Sequence, residues 1–381
     1  MRISVPYLVT VFAALLLVVV GHNMATRNMF TVQSAPHEVT RATVQRIVER
    51  YEPLGFDDFM IFEGEMFFGE IIIFEARITR GEHRGSIVTA TQSLGDFSWV
   101  ASREVQEGDS VILIYNEFID EWFLDGHLRT NRLLVLGIIF TLCVLLFGGR
   151  RGFSTILSLG LTCGAVFGVF IPAILSGANI YVMSLLVCIY TIAMTLLLVV
   201  GFNKKALAAA IGCFSGLAIT GILTVIMDRV LFLTGTIDEH SRFLANLPGE
   251  FYVDLRAIVF AGIMIGAMGA IMDVALSISS ALWEIKQKAR TLKFETLYRS
   301  GVAIGRDILG SMANTLILAY IGTSLSIVLL LTIYSDSLMG LLNREMIVVE
   351  ILKSIAGLFG ILFAMPLTAF FSAGLYLNDG K

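Results

Sequence analysis

The chain has 381 residues, 56% of them hydrophobic and only 15% charged, a balance that excludes an ordinary water-soluble globular protein. Its formal net charge of −4 is unevenly spread, because residues 22–131 hold 18 acidic residues against nine arginines and no lysine, and all seven lysines follow residue 200. An acidic polar region argues against nucleic acid as a partner, since phosphate binding needs a basic surface.

Residues 5–20 form an apolar run preceded by one charge, Arg2, and read as a signal peptide or an uncleaved anchor. The flank after it lacks a small-x-small cleavage site, which favours an anchor over residues 1–21. Residues 22–131 are the one sizeable polar domain. Strand-like runs at 67–79, 85–94 and 109–115 are bounded by Gly or Asp, and 41–51 suits a short helix or a strand. The segment TRGEHRGSIVTATQ reads as a hairpin, so the domain is expected to be β-rich, a small barrel or sandwich of OB-like type. His22, His37, His83 and His127 lie here, far apart, as surface residues rather than a metal site.

From residue 132 to 381 the chain is almost continuously apolar. Spans are expected near 133–147, 153–175, 178–200, 206–230, 257–284, 308–334 and 349–375, against the ~20 residues that cross a hydrocarbon core. With the anchor this makes a polytopic α-helical membrane protein of about eight helices. Twelve basic residues fall on one side and three in the short loops of the other, which puts both termini in the cytoplasm and the β-rich domain outside. Cys143, Cys163, Cys188 and Cys213 sit in these apolar runs as small hydrophobes.

Glycine recurs at helical spacing. Gly160, Gly164 and Gly168 make a double G-x-x-x-G, Gly212 and Gly216 repeat it, and so do Gly262 and Gly266, with Gly269 beyond. Small residues four apart let helices approach closely, so these positions are expected to pack helix on helix. Such glycine-rich spans also frame transporter binding sites. Two polar constellations stand out in the same membrane half. Asp273 has Ser277 one turn away, and Asp307, Ser311 and Asn314 share a face of the next span at i, i+4 and i+7. They are expected to bind an ion or polar substrate across one cavity. An ionised carboxylate in hydrocarbon costs roughly 2.5–3.5 kcal/mol, so Asp273 must be paired, hydrated or protonated. Asp307 has blander roles open to it, pairing with an arginine or capping a helix. Glu350 and Lys353 are an i,i+3 pair that neutralise one another. Residues 285–306 mix basic and apolar side chains and read as an amphipathic segment on anionic headgroups.

GAMGAIMDVALSISSALWEI and SGVAIGRDILGSMANTLILAY resemble the signature of the YibE/F-like family of bacterial multispanning membrane proteins. RTNRLLVLGIIFTLCVLLFGGRRGFSTILSL is similar to that family's entry into its membrane core, and TRGEHRGSIVTATQ with QEGDSVILIY resembles its outer domain. The likeness runs from about residue 65 to 370. Gly266, Gly269, Asp273, Ser277, Gly305, Arg306, Asp307, Asn314 and Tyr320 match as motif positions. The resemblance implies a multi-pass protein of the bacterial cytoplasmic membrane with one extracytoplasmic domain, and carries over no catalytic residue.

These readings lead to a transporter or exporter using Asp273 and the Asp307–Asn314 face. The alternative is a non-transporting scaffold or assembly factor whose outer domain, residues 22–131, binds an envelope protein. An intramembrane aspartyl protease is a minor third class. No enzyme activity, cofactor or metal is expected. The bilayer is the evident partner, and a homo-oligomer is compatible with the glycine-rich faces.

Overall fold

The structure, a computed structural model, describes residues 5–27, 29–30, 38–51, 60–62, 65–67, 69–81, 83–95, 103–117, 119–247, 252–289, 292–334 and 337–377. It forms two compact units, one of residues 32–143 and one of residues 1–31 with 144–381.

The first unit holds the β-rich domain. Strands β1 (Glu38–Tyr51), β4 (Gly69–Arg80), β5 (Ile87–Gly95), β6 (Ser110–Asn116) and β7 (Glu121–His127) close a barrel in the order β1-β4-β5-β7-β6. A separate small hairpin pairs β2 (Met60–Phe62) with β3 (Glu65–Phe67). The barrel follows from period-two burial. Ile72, Phe74, Ala76 and Ile78 alternate inward along β4, and Ala42, Val44, Val111, Leu113 and Trp122 meet them. Residues 41–51 are therefore strand, because alternate residues of β1 fill the barrel. β7 escapes a sequence reading because Asp125 and Gly126 interrupt its apolar alternation. The β4–β5 hairpin turns through Gly81 and Gly85, both at positive φ.

One buried amide closes the barrel's irregular side. Gln92 on β5 donates through Nε2 to the Arg103 carbonyl at 3.0 Å and accepts from the buried Val105 N–H at 2.9 Å. Gln92→Leu leaves the buried Val105 N–H unpaired, at about 1–3 kcal/mol, while the Arg103 carbonyl keeps His127 Nε2 at 2.7 Å. Hydrogen exchange of β5 amides in the full-length variant should accelerate by roughly ten-fold or more; unchanged exchange would show the amide to be dispensable.

A second consequence is acid sensitivity. Arg46 and Glu75 are cross-strand partners joined by two hydrogen bonds, 2.9 and 2.6 Å. These bonds hold the Glu75 carboxyl below its usual range. A folded value below the unfolded one means the contribution is complete above the unfolded carboxyl pKa and is lost as pH falls through the depressed value. Both groups are solvent-exposed, so the effect is small. Glu75→Gln should flatten the acid side of a Tm-versus-pH series, and an unaltered acid limb would contradict it.

The first unit also carries the start of α2 (Thr130–Ala165), whose residues 131–140 are exposed on every side. The same helix breaks at Gly149 (φ 53, ψ −128), and the chain folds back so tightly that a Cβ on Gly152 would collide with the Val144 carbonyl. Seven helices among the described residues are long and apolar enough to cross a membrane, one of them the whole stretch Thr130–Leu175. That number is one fewer than the sequence suggests, because the spans expected at 133–147 and 153–175 run into one another through the Gly149 break.

In the second unit α1 (Val5–Ala25) packs beside the end of α2, where Tyr7 Oη lies 3.1 Å from Ser154 Oγ. A π-helical turn (Val166–Phe170) and α3 (Ile171–Leu175) follow, with Pro172 at the start of α3, where a missing N–H is tolerated. Then come α4 (Ile180–Val199), α5 (Lys204–Val230), the short α6 (Glu239–Ala245), α7 (Leu255–Lys288), α8 (Phe294–Ile333), the short α9 (Leu338–Leu342) and α10 (Glu345–Leu377). The core lies where α5, α7 and α10 cross. Gly212 and Gly216 of α5 meet α10 there: a Cβ on Gly212 would sit 2.8 Å from Thr368 Cβ, and one on Gly216 2.7 Å from the Gly360 carbonyl.

Residues 285–306, expected as an amphipathic segment, are helical at both ends. They are the end of α7 and the start of α8, joined over a few residues. Of its apolar side chains Leu297 is fully buried, whereas Phe294 is exposed and meets Phe370 of α10 edge-on, as does the half-buried Tyr298. The lysines nearby gather at one end of the bundle, where Ser279 Oγ donates to the Lys205 carbonyl at 2.7 Å and Lys204 Nζ reaches the Leu375 carbonyl at 3.3 Å. Ser279 Oγ also lies 2.6 Å from Tyr376 Oη.

Candidate functional site

Helix α7 begins where Asp254 Oδ1 accepts the Arg256 and Ala257 N–H groups at 3.1 and 3.2 Å, satisfying donors that open a helix. From there it runs 34 residues without a break. It is the central helix of the second unit, packed by α4, α5, α8 and α10. Val259, Phe260, Ile263, Met264, Ile271, Ile278 and Leu282 are all buried.

What α7 leaves open is a single stripe. Between residues 257 and 283 its exposed residues are Gly262, Gly266, Asp273 and Ser277, with Gly269 half-buried among them. Their spacing of four, three, four and four keeps them on one face. No large hydrophobic side chain of α7 is exposed, whereas α8 exposes Leu318, Ile321, Leu325 and Leu329, as a lipid-facing helix does. Asp273 lies on this stripe with no hydrogen bond or ion pair among the described residues, and Ser277 is on the same face one turn away. Tyr320 of α8 leans over the stripe, its hydroxyl 2.9 Å from where a Cβ on Gly266 would be.

Asp307, Ser311 and Asn314 are likewise all exposed, on α8. Ser311 Oγ donates back to the Ile308 carbonyl at 3.0 Å, and no hydrogen bond joins the α8 set to Asp273 or Ser277 among the described residues. α8 approaches through its glycines, and that fixes its rotation: a Cβ on Gly301 would lie 2.7 Å from Ala369 Cβ and 2.8 Å from Leu282 Cδ1. Gly305 presses on Met365 and Ile278 in the same way. Asp307 lies well inside α8, so it does not cap that helix. Glu350 and Lys353 form their ion pair at 2.5 Å.

The glycines expected to pack helices divide into three groups. Gly212 and Gly216 stand at close crossings, and Gly266 is close to the Tyr320 hydroxyl of α8. Gly164 and Gly168 face α1 more loosely, with Val18 Cγ1 at 3.5 Å and His22 Nδ1 at 4.0 Å from a built Cβ. Gly160, Gly262 and Gly269 have nothing within 4 Å of a built Cβ, so no described side chain of this chain packs on them. Spacing marks a glycine face, and the neighbouring helices decide whether it is covered.

One polar tie between a loop and a helix start has little mark in the sequence. Glu345 at the start of α10 accepts the Thr234 and Gly235 N–H groups, both at 2.7 Å, and the Thr234 hydroxyl at 2.8 Å. The only sequence hint is an acid in the first turn of a helix.

A bundle of apolar helices around one helix with a polar open face, and a small barrel between the first two apolar stretches of the sequence, define a multi-helix membrane protein. Residues 136–378 match the profile of the YibE/F-like protein family, and the chain belongs to that family. No curated protein and no solved structure matches it.

Proposed function

We propose that the protein is a membrane carrier that moves an ion or small polar solute along the open stripe of α7, with Asp273 as its charged binding group and Ser277 beside it. One observation carries this reading: the exposed positions of an otherwise packed membrane helix are Gly262, Gly266, Asp273 and Ser277, with no exposed apolar side chain among them. Lipid contact favours apolar side chains and penalises a carboxylate by a few kcal/mol, so such a face suits water and a moving solute. Glycines at this face leave room for the solute beside the backbone. Asp307, Ser311 and Asn314, exposed on α8, form a polar approach to the same side of the membrane.

In the same reading the lysine-rich end of the bundle is cytoplasmic, the termini lie there, and the barrel is outside the cytoplasmic membrane of a bacterium. Sealed liposomes holding the wild-type chain should pass a proton or alkali-cation current, and the carrier reading falls if they conduct no more than empty ones.

A second reading makes the protein an envelope scaffold. It is favoured by the barrel, a closed five-stranded domain whose parallel β5–β7 pair suits an OB-like, partner-binding role. Deleting residues 22–131 separates the two: a carrier keeps flux through the bundle, whereas a scaffold loses its partner and its purpose together.

A further inference from the structure

A second site lies away from the α7 stripe, at the end of the bundle where α5 finishes and α7 begins. A cavity of about 350 Å³ opens there among α4, α5, α7 and α10, within the size range of small-molecule sites. Its lining sorts by chemistry. Asp228 supplies a half-buried carboxylate, while Arg229 and Arg256 supply two guanidinium groups. Phe260, tilted against Tyr181 at 5.0 Å between ring centroids, and Leu352 give an apolar wall, and both are almost wholly buried. Thr224 is buried at the same cavity and gives its proton to the Thr220 carbonyl at 2.8 Å, so its oxygen remains an acceptor.

The charges are close enough to influence one another, yet no ion pair joins Asp228 to either arginine among the described residues. A carboxylate and two guanidinium groups that line one small, partly apolar cavity without pairing are complementary to a molecule that carries both signs. The geometry points to a binding site for a compact zwitterion: a primary ammonium for Asp228, anionic oxygens for Arg256 and Arg229, and an apolar group against Phe260 and Leu352. Guanidinium suits the anionic end because its planar fork donates to two oxygens at once. A free amino acid offers this chemistry, and so does the headgroup of an aminophospholipid at the membrane surface. The site is independent of the carrier reading, since it uses neither Asp273 nor Ser277.

The test uses the full-length chain in phosphatidylcholine nanodiscs, whose quaternary ammonium has no N–H to give Asp228. L-phenylalanine should bind saturably and raise Tm, while 2-phenylethylamine and 3-phenylpropanoate, each with one charge, bind at least ten-fold more weakly. Asp228→Asn and Arg256→Gln should each lower affinity ten-fold or more, and Asp273→Asn should leave it unchanged. If the lipid is the occupant, phosphatidylethanolamine doped into the nanodiscs stays bound in native mass spectrometry, blocks L-phenylalanine, and is lost in Asp228→Asn. The single-charge ligand series needs no variant, so a misfolded substitution does not decide the outcome. The proposal is overturned if neither L-phenylalanine nor phosphatidylethanolamine binds saturably, or if the single-charge ligands bind as well as the zwitterion.

Discussion

Gly216→Leu is expected to break the bundle, while the same change at Gly262 leaves it folded. At Gly216 a first side-chain carbon already meets the Gly360 carbonyl at 2.7 Å, Ala364 Cβ at 2.8 Å and Ile271 Cγ2 at 3.0 Å. Three helices converge on that point, and a backbone carbonyl cannot rotate out of the way as a side chain can. Overpacking of a filled core costs about 1–3 kcal/mol, and a leucine against backbone belongs at or above the top of that range. At Gly262 nothing lies within 4 Å, so a leucine there meets open space. Thermal unfolding in detergent, followed by size-exclusion fluorescence, should show Gly216→Leu with a much lower Tm or as aggregate and Gly262→Leu close to wild type. Equal losses at both positions would mean that the stripe is covered in the folded protein. The Gly262 variant carries a further expectation: stable but slow, because the leucine narrows the proposed path.

Asp273→Asn is the second large effect, and it concerns flux rather than folding. The substitution keeps size and hydrogen-bonding capacity but removes the charge and the titratable proton. Asp273 is exposed and bonds to no described residue, so the fold loses nothing by it. A solute or proton that depends on the carboxylate should lose flux by at least ten-fold, the equivalent of about 1.4 kcal/mol in the rate-limiting barrier. Asp273→Glu, which restores the charge on a longer stem, should recover part of it. Wild-type current from a well-folded Asp273→Asn protein would remove Asp273 from the mechanism.

Much of this architecture could be read from residue types and spacing. Apolar runs of spanning length announce most of the helices, and the i, i+4 spacing of Gly212 and Gly216 marks a close crossing. Asp273 stands out as a carboxylate inside an apolar run. What spacing does not carry is the rotation of each helix about its axis, which depends on neighbours distant in the chain. Gly212 and Gly262 open identical motifs, yet Gly212 lies against Thr368 and Gly262 against nothing. Asp307 and Asn314 share a face of α8, but the Gly301 and Gly305 contacts with α7 and α10 decide where that face points. Asp254 and Glu345 hold backbone groups that become visible only once the turns around them are formed. The basic stretch between α7 and α8 meets Phe370, some seventy residues further on, a contact that local spacing does not carry.

The claim on which the function rests is that the α7 stripe meets water rather than lipid. Cysteines placed singly at Gly269 and Ser277, with Cys143, Cys163, Cys188 and Cys213 replaced, report this through a charged, membrane-impermeant thiol reagent. The reagent needs a thiolate, which forms only where water reaches. Leu325 and Leu329, exposed on α8 and apolar, serve as lipid-facing comparisons. Modification at Gly269→Cys and Ser277→Cys with none at Leu325→Cys and Leu329→Cys is the expected result. Stripe cysteines as unreactive as those on α8 would contradict it.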